Sequence, residues 1–141
     1  MFDSCLAKQR AVKQLFAHAK TQEERYQVIL DLGKKQKSFP PEDKTERTRV
    51  HGCQSLTYLK VTEEGGKLIL QIDSDALISA GLGQLLTMVY SGESPEVILK
   101  CPPSYLEELG IQSSLSPGRA AGLASIFARI KQEALKKLTA K

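Results

Sequence analysis

The chain has 141 residues, of which 41% are hydrophobic and 26% charged, and it carries a formal net charge of +4. This length fits a single domain over residues 1–141, with a core large enough to fold without disulfides or metals. No run approaches the ~20 apolar residues of a membrane span, and the basic clusters lack interleaved aromatic residues, so neither a membrane nor a nucleic-acid partner is expected.

The charged N-terminal segment has no apolar stretch of the kind found in secretory signals, which predicts a cytosolic protein. Apolar residues with helical spacing then predict a first helix around Val12 and Phe16. Thr21 followed by Glu24 predicts a capping box at the start of a second helix. The paired prolines within Ser38–Asp43 predict a linker after it.

The clearest strand signal is a hairpin formed by Leu56–Thr62 and Lys67–Asp73, joined by a glycine-containing turn. Alternating apolar residues along the second strand predict one buried face. A short extended segment is expected at Arg47–Val50, so the sheet is predicted to be small and antiparallel, with about three strands.

Ser74 and Asp75 are predicted to cap a strongly apolar helix that should lie at the centre of the fold. Gly81 and Gly83 lower its intrinsic stability and indicate close packing against another backbone. Further helices are predicted after Ser94, after Ser104 and from Ser116–Pro117. Helices, a small sheet and then more helices make an α+β fold.

The candidate for chemistry is Cys53, in the loop His51-Gly52-Cys53-Gln54-Ser55. Three cysteines without a CxxC pattern disfavour a disulfide framework and a zinc site. A cysteine beside glycine in a loop is either a small buried apolar residue or a reactive thiol, and the sequence leaves both open. Cys5 and Cys101 have no surrounding motif and are interpreted as having no chemical role.

His51 lies two residues before Cys53. In an extended segment the two side chains would share one side, where a protonated imidazole could favour the thiolate. The alternative is an exposed loop residue without a catalytic role. No Asp or Asn can be assigned as the partner that orients His51, so a cysteine hydrolase is not favoured.

Several blocks, taken together, resemble one known family. They are Arg25-Tyr26, Leu32-Gly33, Gly52-Cys53-Gln54-Ser55, Asp73-Ser74-Asp75-Ala76, Gly81-Leu82, Ser91-Gly92 and Leu115-Ser116-Pro117-Gly118-Arg119. In this order, from about Arg25 to Ile130, they resemble the SufE family of sulfur acceptors. The resemblance implies a small antiparallel sheet packed with helices, a fold shared with IscU-type scaffold proteins.

The resemblance also implies a function. Proteins of this family take sulfane sulfur from a pyridoxal-phosphate cysteine desulfurase (SufS-like), stimulate that enzyme and pass the sulfur toward an iron–sulfur scaffold complex (SufBCD-like). Cys53 would be the persulfide acceptor, in a protein that is not itself an enzyme and has no cofactor or metal of its own. A monomer or weak homodimer is expected.

The remaining site residues follow from the same resemblance. Gly52, Gln54 and Ser55 would shape the loop, and Asp75 and Arg119 would support the loop or the docked partner. An intramolecular Asp75–Arg119 ion pair and a helix cap by Asp75 are two hypotheses for these charges. The chain departs from the family's usual residues at His51, at Thr57-Tyr58, where valine-tryptophan is usual, and at Ala121.

Two other functions remain open from the sequence. Cys53 could serve a thiol-based redox sensor or enzyme, which usually has a second cysteine nearby. The chain could also hold an iron–sulfur cluster itself, which would require several Cys, His or Asp ligands in one place. Only Cys53 and His51 are close together in the sequence.

Overall fold

The computed structural model describes residues 1–140, and it confirms the α+β class. The described residues form six α-helices, two strands and two short 3₁₀ turns at Pro41–Asp43 and Gln112–Ser114. In chain order the helices and strands are α1 (Asp3–Leu15), α2 (Gln22–Gly33), β1 (Thr57–Glu64), β2 (Lys67–Ser74), α3 (Leu77–Tyr90), α4 (Pro95–Lys100), α5 (Ser104–Glu108) and α6 (Pro117–Thr139).

The capping box at the start of α2 is confirmed. The Thr21 hydroxyl accepts a hydrogen bond from the Glu24 backbone N–H at 3.0 Å, and the Glu24 carboxylate accepts one from the Thr21 N–H at 3.0 Å. These two bonds satisfy backbone donors that a helix otherwise leaves free at its N-terminus. The linker prediction also holds, because the prolines after α2 open only a single 3₁₀ turn.

β1 and β2 form an antiparallel hairpin whose register runs from Thr57 opposite Ser74 to Glu64 opposite Lys67. The turn consists of two glycines, Gly65 (φ 57°) and Gly66 (φ 80°), and positive φ at both positions suits a two-residue hairpin turn. The predicted buried face of β2 is confirmed, since Leu68, Leu70 and Ile72 are all buried.

The sheet has two strands in residues 1–140, rather than the predicted three or so. The segment before the cysteine loop approaches the free edge of β1, but only as an isolated bridge between Arg49 and Tyr58. A turn closed by a hydrogen bond from the Thr48 N–H to the Thr45 carbonyl precedes the bridge. Gly52, with a φ of 89°, bends the chain again after it. These two bends leave too little extended chain for a third strand.

α3 is the central helix, as predicted, and packs against α1, α2, α6 and β2. A β-carbon placed on Gly81 would lie 1.9 Å from the Ile29 carbonyl oxygen of α2, which confirms close backbone packing there. The reason for Gly83 differs: its neighbour is the Ile72 side chain, 2.5 Å from the position of such a β-carbon. The prediction of backbone packing at Gly83 was therefore wrong.

The predicted cap of α3 was also wrong. Its N-cap residue is Ala76, and no side chain caps the helix. The Asp75 carboxylate points instead to the start of β1, where it accepts a hydrogen bond from the Leu56 N–H at 3.0 Å. Asp75 is thus used to hold the cysteine loop rather than to begin the helix.

α6 begins as predicted, with the Ser116 hydroxyl accepting from the Arg119 N–H at 3.3 Å and Pro117 in the first turn. Its buried stripe consists of Gly122, Leu123, Ile126, Ile130 and Ala134. Even α6, with 23 residues, lacks the apolar character of a membrane-spanning helix, and so do the other helices of residues 1–140. The N-terminal half of α6 lies under the cysteine loop.

Candidate functional site

Cys53 lies in a tight loop that rests on α6. Gly52 reverses the chain with a φ of 89°, a conformation that residues with a β-carbon rarely adopt. The half-buried Cys53 thiol then donates a long hydrogen bond to the Gly122 carbonyl, with 3.7 Å between sulfur and oxygen. The loop is therefore closed over the sulfur.

Small residues on one face of α6 lie against this loop. A β-carbon on Gly118 would lie 2.1 Å from the Gln54 amide nitrogen, and one on Gly52 would lie 2.4 Å from the Ser125 hydroxyl. Gly122 lies next to Cys53 itself, because a β-carbon placed on Gly122 would be 3.8 Å from the Cys53 sulfur. Gly118, Gly122 and Ser125 thus form the surface on which the loop lies.

In the sequence, Gly118 stands out only as part of a motif, and neither Gly122 nor Ser125 is predicted to belong to the site. Two glycines four residues apart within a helix cost roughly 1 kcal/mol each relative to alanine. That unfavourable pair was the available signal that another segment, here the Gln54 side chain and Cys53, packs on this face of α6.

Both ends of the loop are anchored by side chains. On the N-terminal side, the Arg129 guanidinium of α6 donates to the Arg49 carbonyl at 2.6 Å and also to the Arg47 carbonyl. On the C-terminal side, the Asp75 N–H donates a hydrogen bond to the Leu56 carbonyl at 3.1 Å, and the Asp75 carboxylate accepts one from the Leu56 N–H. Within this loop, the residues between Arg49 and Leu56 can therefore move without breaking these anchoring hydrogen bonds.

Burial is the main influence on the Cys53 thiol and raises its pKa above the ordinary value. The polar Thr57 hydroxyl and the positive charges of Arg119 and Arg49 act in the opposite direction and lower this pKa. The closed loop therefore favours the neutral thiol, while its neighbours are those that would stabilise the thiolate.

Arg119 lies in the first turn of α6, and its positive charge is one of those that lower the Cys53 pKa. Its guanidinium donates to the Ser79 hydroxyl of α3 at 2.8 Å, which orients the side chain. The hypothesis of an Asp75–Arg119 ion pair was wrong, because Asp75 bonds the Leu56 N–H instead and no such pair occurs in residues 1–140.

His51 does not face Cys53. Its Nε2 atom lies 2.6 Å from the exposed Glu46 carboxylate, and the His51 side chain itself is exposed. The prediction that both side chains share one side assumed an extended chain, and the positive φ of Gly52 between them breaks that alternation. The structure thus favours the alternative of an exposed loop residue.

The other two cysteines are neighbours of one another. Cys5 and Cys101 are both buried, and the Gln9 side-chain amide lies 3.8 Å from one sulfur and 3.7 Å from the other. Burial, with the adjacent Cys101 thiol, raises the pKa of Cys5 to about 12. Neither thiol is among the groups that contact Cys53.

We expect Asp75→Ala to lower the free energy of unfolding by about 1 kcal/mol, because the Leu56 N–H loses its charged acceptor at an exposed position. Asp75→Asn retains an acceptor oxygen of the same shape and should lose about half as much. Urea denaturation of both variants and the parent protein measures the difference. Equal stability of the alanine variant and the parent would contradict this role of Asp75.

The fold and the loop define a class: a small α+β domain that presents one half-buried thiol on a loop with a glycine bend, while its other thiols are buried. Comparison with known proteins gives the family. The profile of the SufE family, described as an Fe-S metabolism associated domain, matches residues 10–134. The chain belongs to the SufE family.

Relatives and a solved structure agree with this assignment. The chain is 37% identical over 111 residues to an uncharacterised SufE-like protein of Synechocystis, covering 79% of this chain and 70% of the relative. It is also 37% identical over 110 residues to the cysteine desulfuration protein SufE of Plasmodium falciparum, covering 74% and 44%. The solution structure of a hypothetical protein from Thermus thermophilus has a TM-score of 0.74 at 31% identity, covering 94% of this chain and 96% of that one.

A more distant relative is the SufE-like protein 1, chloroplastic/mitochondrial, of Arabidopsis thaliana, which is 29% identical over 91% of this chain. The chain spans 35% of the length of that plant protein and 44% of the Plasmodium protein. Those relatives therefore contain further sequence that this domain does not represent.

Proposed function

We propose that this protein accepts sulfur from a cysteine desulfurase as a persulfide on Cys53 and delivers it to iron–sulfur cluster assembly. The observation that carries the proposal is the position of Cys53: a thiol at the tip of a glycine-containing loop, sheltered on α6 and placed near Arg49 and Arg119. Membership of the SufE family supports the same role.

The chemistry requires a thiolate and a path to the donor. In the transfer step the Cys53 thiolate attacks the terminal sulfur of a persulfide on the desulfurase. A new S–S bond forms on Cys53, the donor's S–S bond breaks, and the donor cysteine leaves as a thiolate with the electron pair. One S–S bond forms as another breaks, so the step needs neither an oxidant nor a reductant.

The closed loop is a resting state in this proposal. Burial keeps Cys53 largely as the thiol, so the free protein is protected from oxidation. When the loop leaves α6 and enters the partner's cleft, the sulfur gains access and its pKa falls toward the ordinary value. Gly52 and the small residues Gly118 and Gly122 would serve as the hinge and the resting surface.

We further propose a SufS-like enzyme as donor, stimulation of its turnover and a SufBCD-like scaffold complex as recipient, acting in the cytosol. Thiol exchange explains the stimulation, because removal of sulfur regenerates the donor cysteine for the next cycle. The basis for these partners is membership of the SufE family.

The test is mass spectrometry of the intact chain and of its Cys53 peptide after incubation with a cysteine desulfurase and cysteine, with nonreducing alkylation. We expect one added sulfur on Cys53 and none on a Cys53→Ser variant. A characterised acceptor loaded by the same desulfurase in parallel establishes that the enzyme is active. No added sulfur on this chain, when several desulfurases load that control, would contradict the proposal.

The two alternative functions receive less support. A redox sensor needs a resolving cysteine near Cys53, whereas Cys5 and Cys101 lie beside one another around Gln9. An iron–sulfur scaffold needs converging ligands, and in residues 1–140 no three His, Cys, Asp or Glu side chains are placed to hold a metal ion.

A further inference from the structure

One edge of the hairpin has a stretch of backbone without a partner. In an antiparallel pair, alternate residues point their N–H and C=O groups away from the neighbouring strand. On β1, Thr57 and Leu59 bond the 48–50 segment rather than β2. The β2 residues in register with this set therefore direct their backbone groups to the outer edge of the sheet: Leu68, Leu70, Ile72 and Ser74.

The beginning of this outer edge is covered by the turn after α3. The Glu93 carbonyl accepts a hydrogen bond from the Leu68 N–H at 2.9 Å, and the Gly92 N–H donates to the Leu68 carbonyl at 2.7 Å. The next donor along the strand, the Leu70 N–H, bonds the Ser91 hydroxyl at 2.9 Å. These bonds satisfy the edge as far as the Leu70 N–H.

The far end of the edge is covered by a side chain. The Gln36 amide donates to the Ser74 carbonyl at 2.8 Å and its oxygen accepts from the Ser74 N–H at 3.0 Å, so Gln36 takes the place of a strand residue. Between the two covered parts, the Leu70 carbonyl and both backbone groups of Ile72 have no hydrogen-bond partner in residues 1–140. The open stretch thus presents an acceptor, a donor and an acceptor in turn.

A cleft of about 190 Å³ lies at this open stretch, lined by Leu70, Ile72 and Gln84 and by two lysines that follow α2, Lys35 and Lys37. Both lysines are exposed, and within the described part of the chain neither side chain forms an ion pair. The cleft therefore combines open strand backbone with positive charge that the protein itself does not neutralise.

We propose that this cleft binds an extended acidic segment of a partner protein, which adds to the outer edge of β2 as a further strand. One residue of the segment exchanges two hydrogen bonds with the Ile72 backbone, in the way that the Gln36 side chain does with Ser74. Carboxylates of the segment pair with Lys35 and Lys37, which gives the site its preference for acidic sequences.

The alternation of donor and acceptor favours a peptide over a small anion. An anion would accept a hydrogen bond from the Ile72 N–H, but the carbonyl oxygens of Leu70 and Ile72 on either side of this donor would repel it. A peptide backbone has both kinds of group at the spacing of a strand and satisfies the donor and the acceptors together.

This surface is separate from the cysteine site in the topology of the sheet. The segment that leads into the cysteine loop lies along β1, where Arg49 bridges Tyr58, whereas the open stretch belongs to β2. The proposal therefore goes beyond sulfur transfer, and a Cys53→Ser variant should bind the segment as tightly as the parent protein does.

The test is an NMR titration of the isotope-labelled chain with the blocked peptide acetyl-Glu-Val-Thr-Val-Glu-amide. A carboxylate at each end brings one of them to the lysines in either direction of binding, because Lys35 and Lys37 flank Gln36 at one end of the open stretch. We expect the largest amide shift at Ile72, slower hydrogen exchange of that amide, and an affinity that falls as salt is added.

Variants of the lysines test the charge. Lys35→Glu and Lys37→Glu should each weaken binding of the peptide about threefold to fivefold, because each loses an ion pair and adds a repulsion. Lys34→Glu is the matched control: it is the same change at the neighbouring residue, which is paired with Asp31 at 3.6 Å and does not line the cleft. It should change the affinity less than about twofold.

Methylated peptides test the strand pairing. Methylation of the central threonine nitrogen removes the N–H that bonds the Ile72 carbonyl, and it should weaken binding about tenfold. The same methyl group on a neighbouring valine nitrogen, which faces away from β2, should cost much less.

Three results would overturn the proposal. No shift of the Ile72 amide with the peptide at about 5 mM would mean that the lysines only keep the edge from pairing. Equal binding of the peptide methylated at its centre would leave a general attraction of charges without strand addition. Inorganic phosphate that shifts the Ile72 amide as strongly as the peptide does would indicate a site for small anions instead.

Discussion

Gly81→Ala is expected to lower the free energy of unfolding by about 3 kcal/mol, a large share of the stability of a domain of this size. The added β-carbon would lie 1.9 Å from the Ile29 carbonyl oxygen and 2.7 Å from the Ile29 side chain. Backbone of α2 is in the way, so the two helices must separate, and the better helix propensity of alanine returns only about 1 kcal/mol. Urea denaturation gives the difference directly.

Gly122→Ala is the matched control, because it is the same change in a helix whose nearest outside atom is 3.8 Å from the new carbon. We expect it to be neutral or to stabilise by up to about 1 kcal/mol.

Gly33 lies at the same crossing of α2 and α3 as Gly81. A β-carbon placed on Gly33 would lie 2.1 Å from the Leu77 carbonyl oxygen. The Gly33→Ala and Gly81→Ala double variant should lose less than the sum of the single losses, since one separation accommodates both methyls. Equal effects of Gly81→Ala and Gly122→Ala would refute this account.

Gly52→Ala is expected to increase the alkylation rate of Cys53 near neutral pH by tenfold or more. The positive φ costs an alanine about 1–2 kcal/mol, and the new methyl group would lie 2.4 Å from the Ser125 hydroxyl. Both effects destabilise the closed loop, and each ~1.4 kcal/mol raises the open population about tenfold. In the open loop the sulfur is accessible and its pKa is no longer raised by burial.

Two variants separate the strain at the loop from a general loss of stability. Gly65→Ala has the same kind of positive φ, at 57°, in the distant hairpin turn with open space around it, and should leave the rate of Cys53 unchanged. Ser125→Ala in the Gly52→Ala background removes the closest contact and should return part of the increase. A Cys53 rate that does not respond to Gly52→Ala would mean that the loop does not limit access.

The parts of the fold that could be predicted from the sequence depend on neighbours in the chain. Thr21 and Glu24 are three residues apart, and the Gly65-Gly66 turn joins two strands that pair with each other, so local spacing contains the necessary information. The cysteine loop could be located in the sequence for the same reason. Its motif is continuous, and Gly52 beside Cys53 indicates a bend at that position.

The errors concern contacts between distant segments or the direction of a side chain. The bend that made the loop recognisable also turned His51 toward Glu46 and away from Cys53. Asp75 was interpreted as a helix cap because it precedes α3, but its partner, Leu56, is 19 residues away. The sequence also cannot show that the Gly122 carbonyl, 69 residues after Cys53, accepts the hydrogen bond of the Cys53 thiol.

The sulfur is sheltered by a helix that comes late in the chain. Cys53 stays covered only while α6 is docked, because Gly118, Gly122 and Ser125 all belong to that helix. Every event that detaches α6 also uncovers the sulfur, so the free energy of exposing Cys53 can never exceed that of local unfolding of α6. During synthesis the loop leaves the ribosome well before its cover does, and until α6 has formed the nascent thiol depends on the reducing capacity of its surroundings.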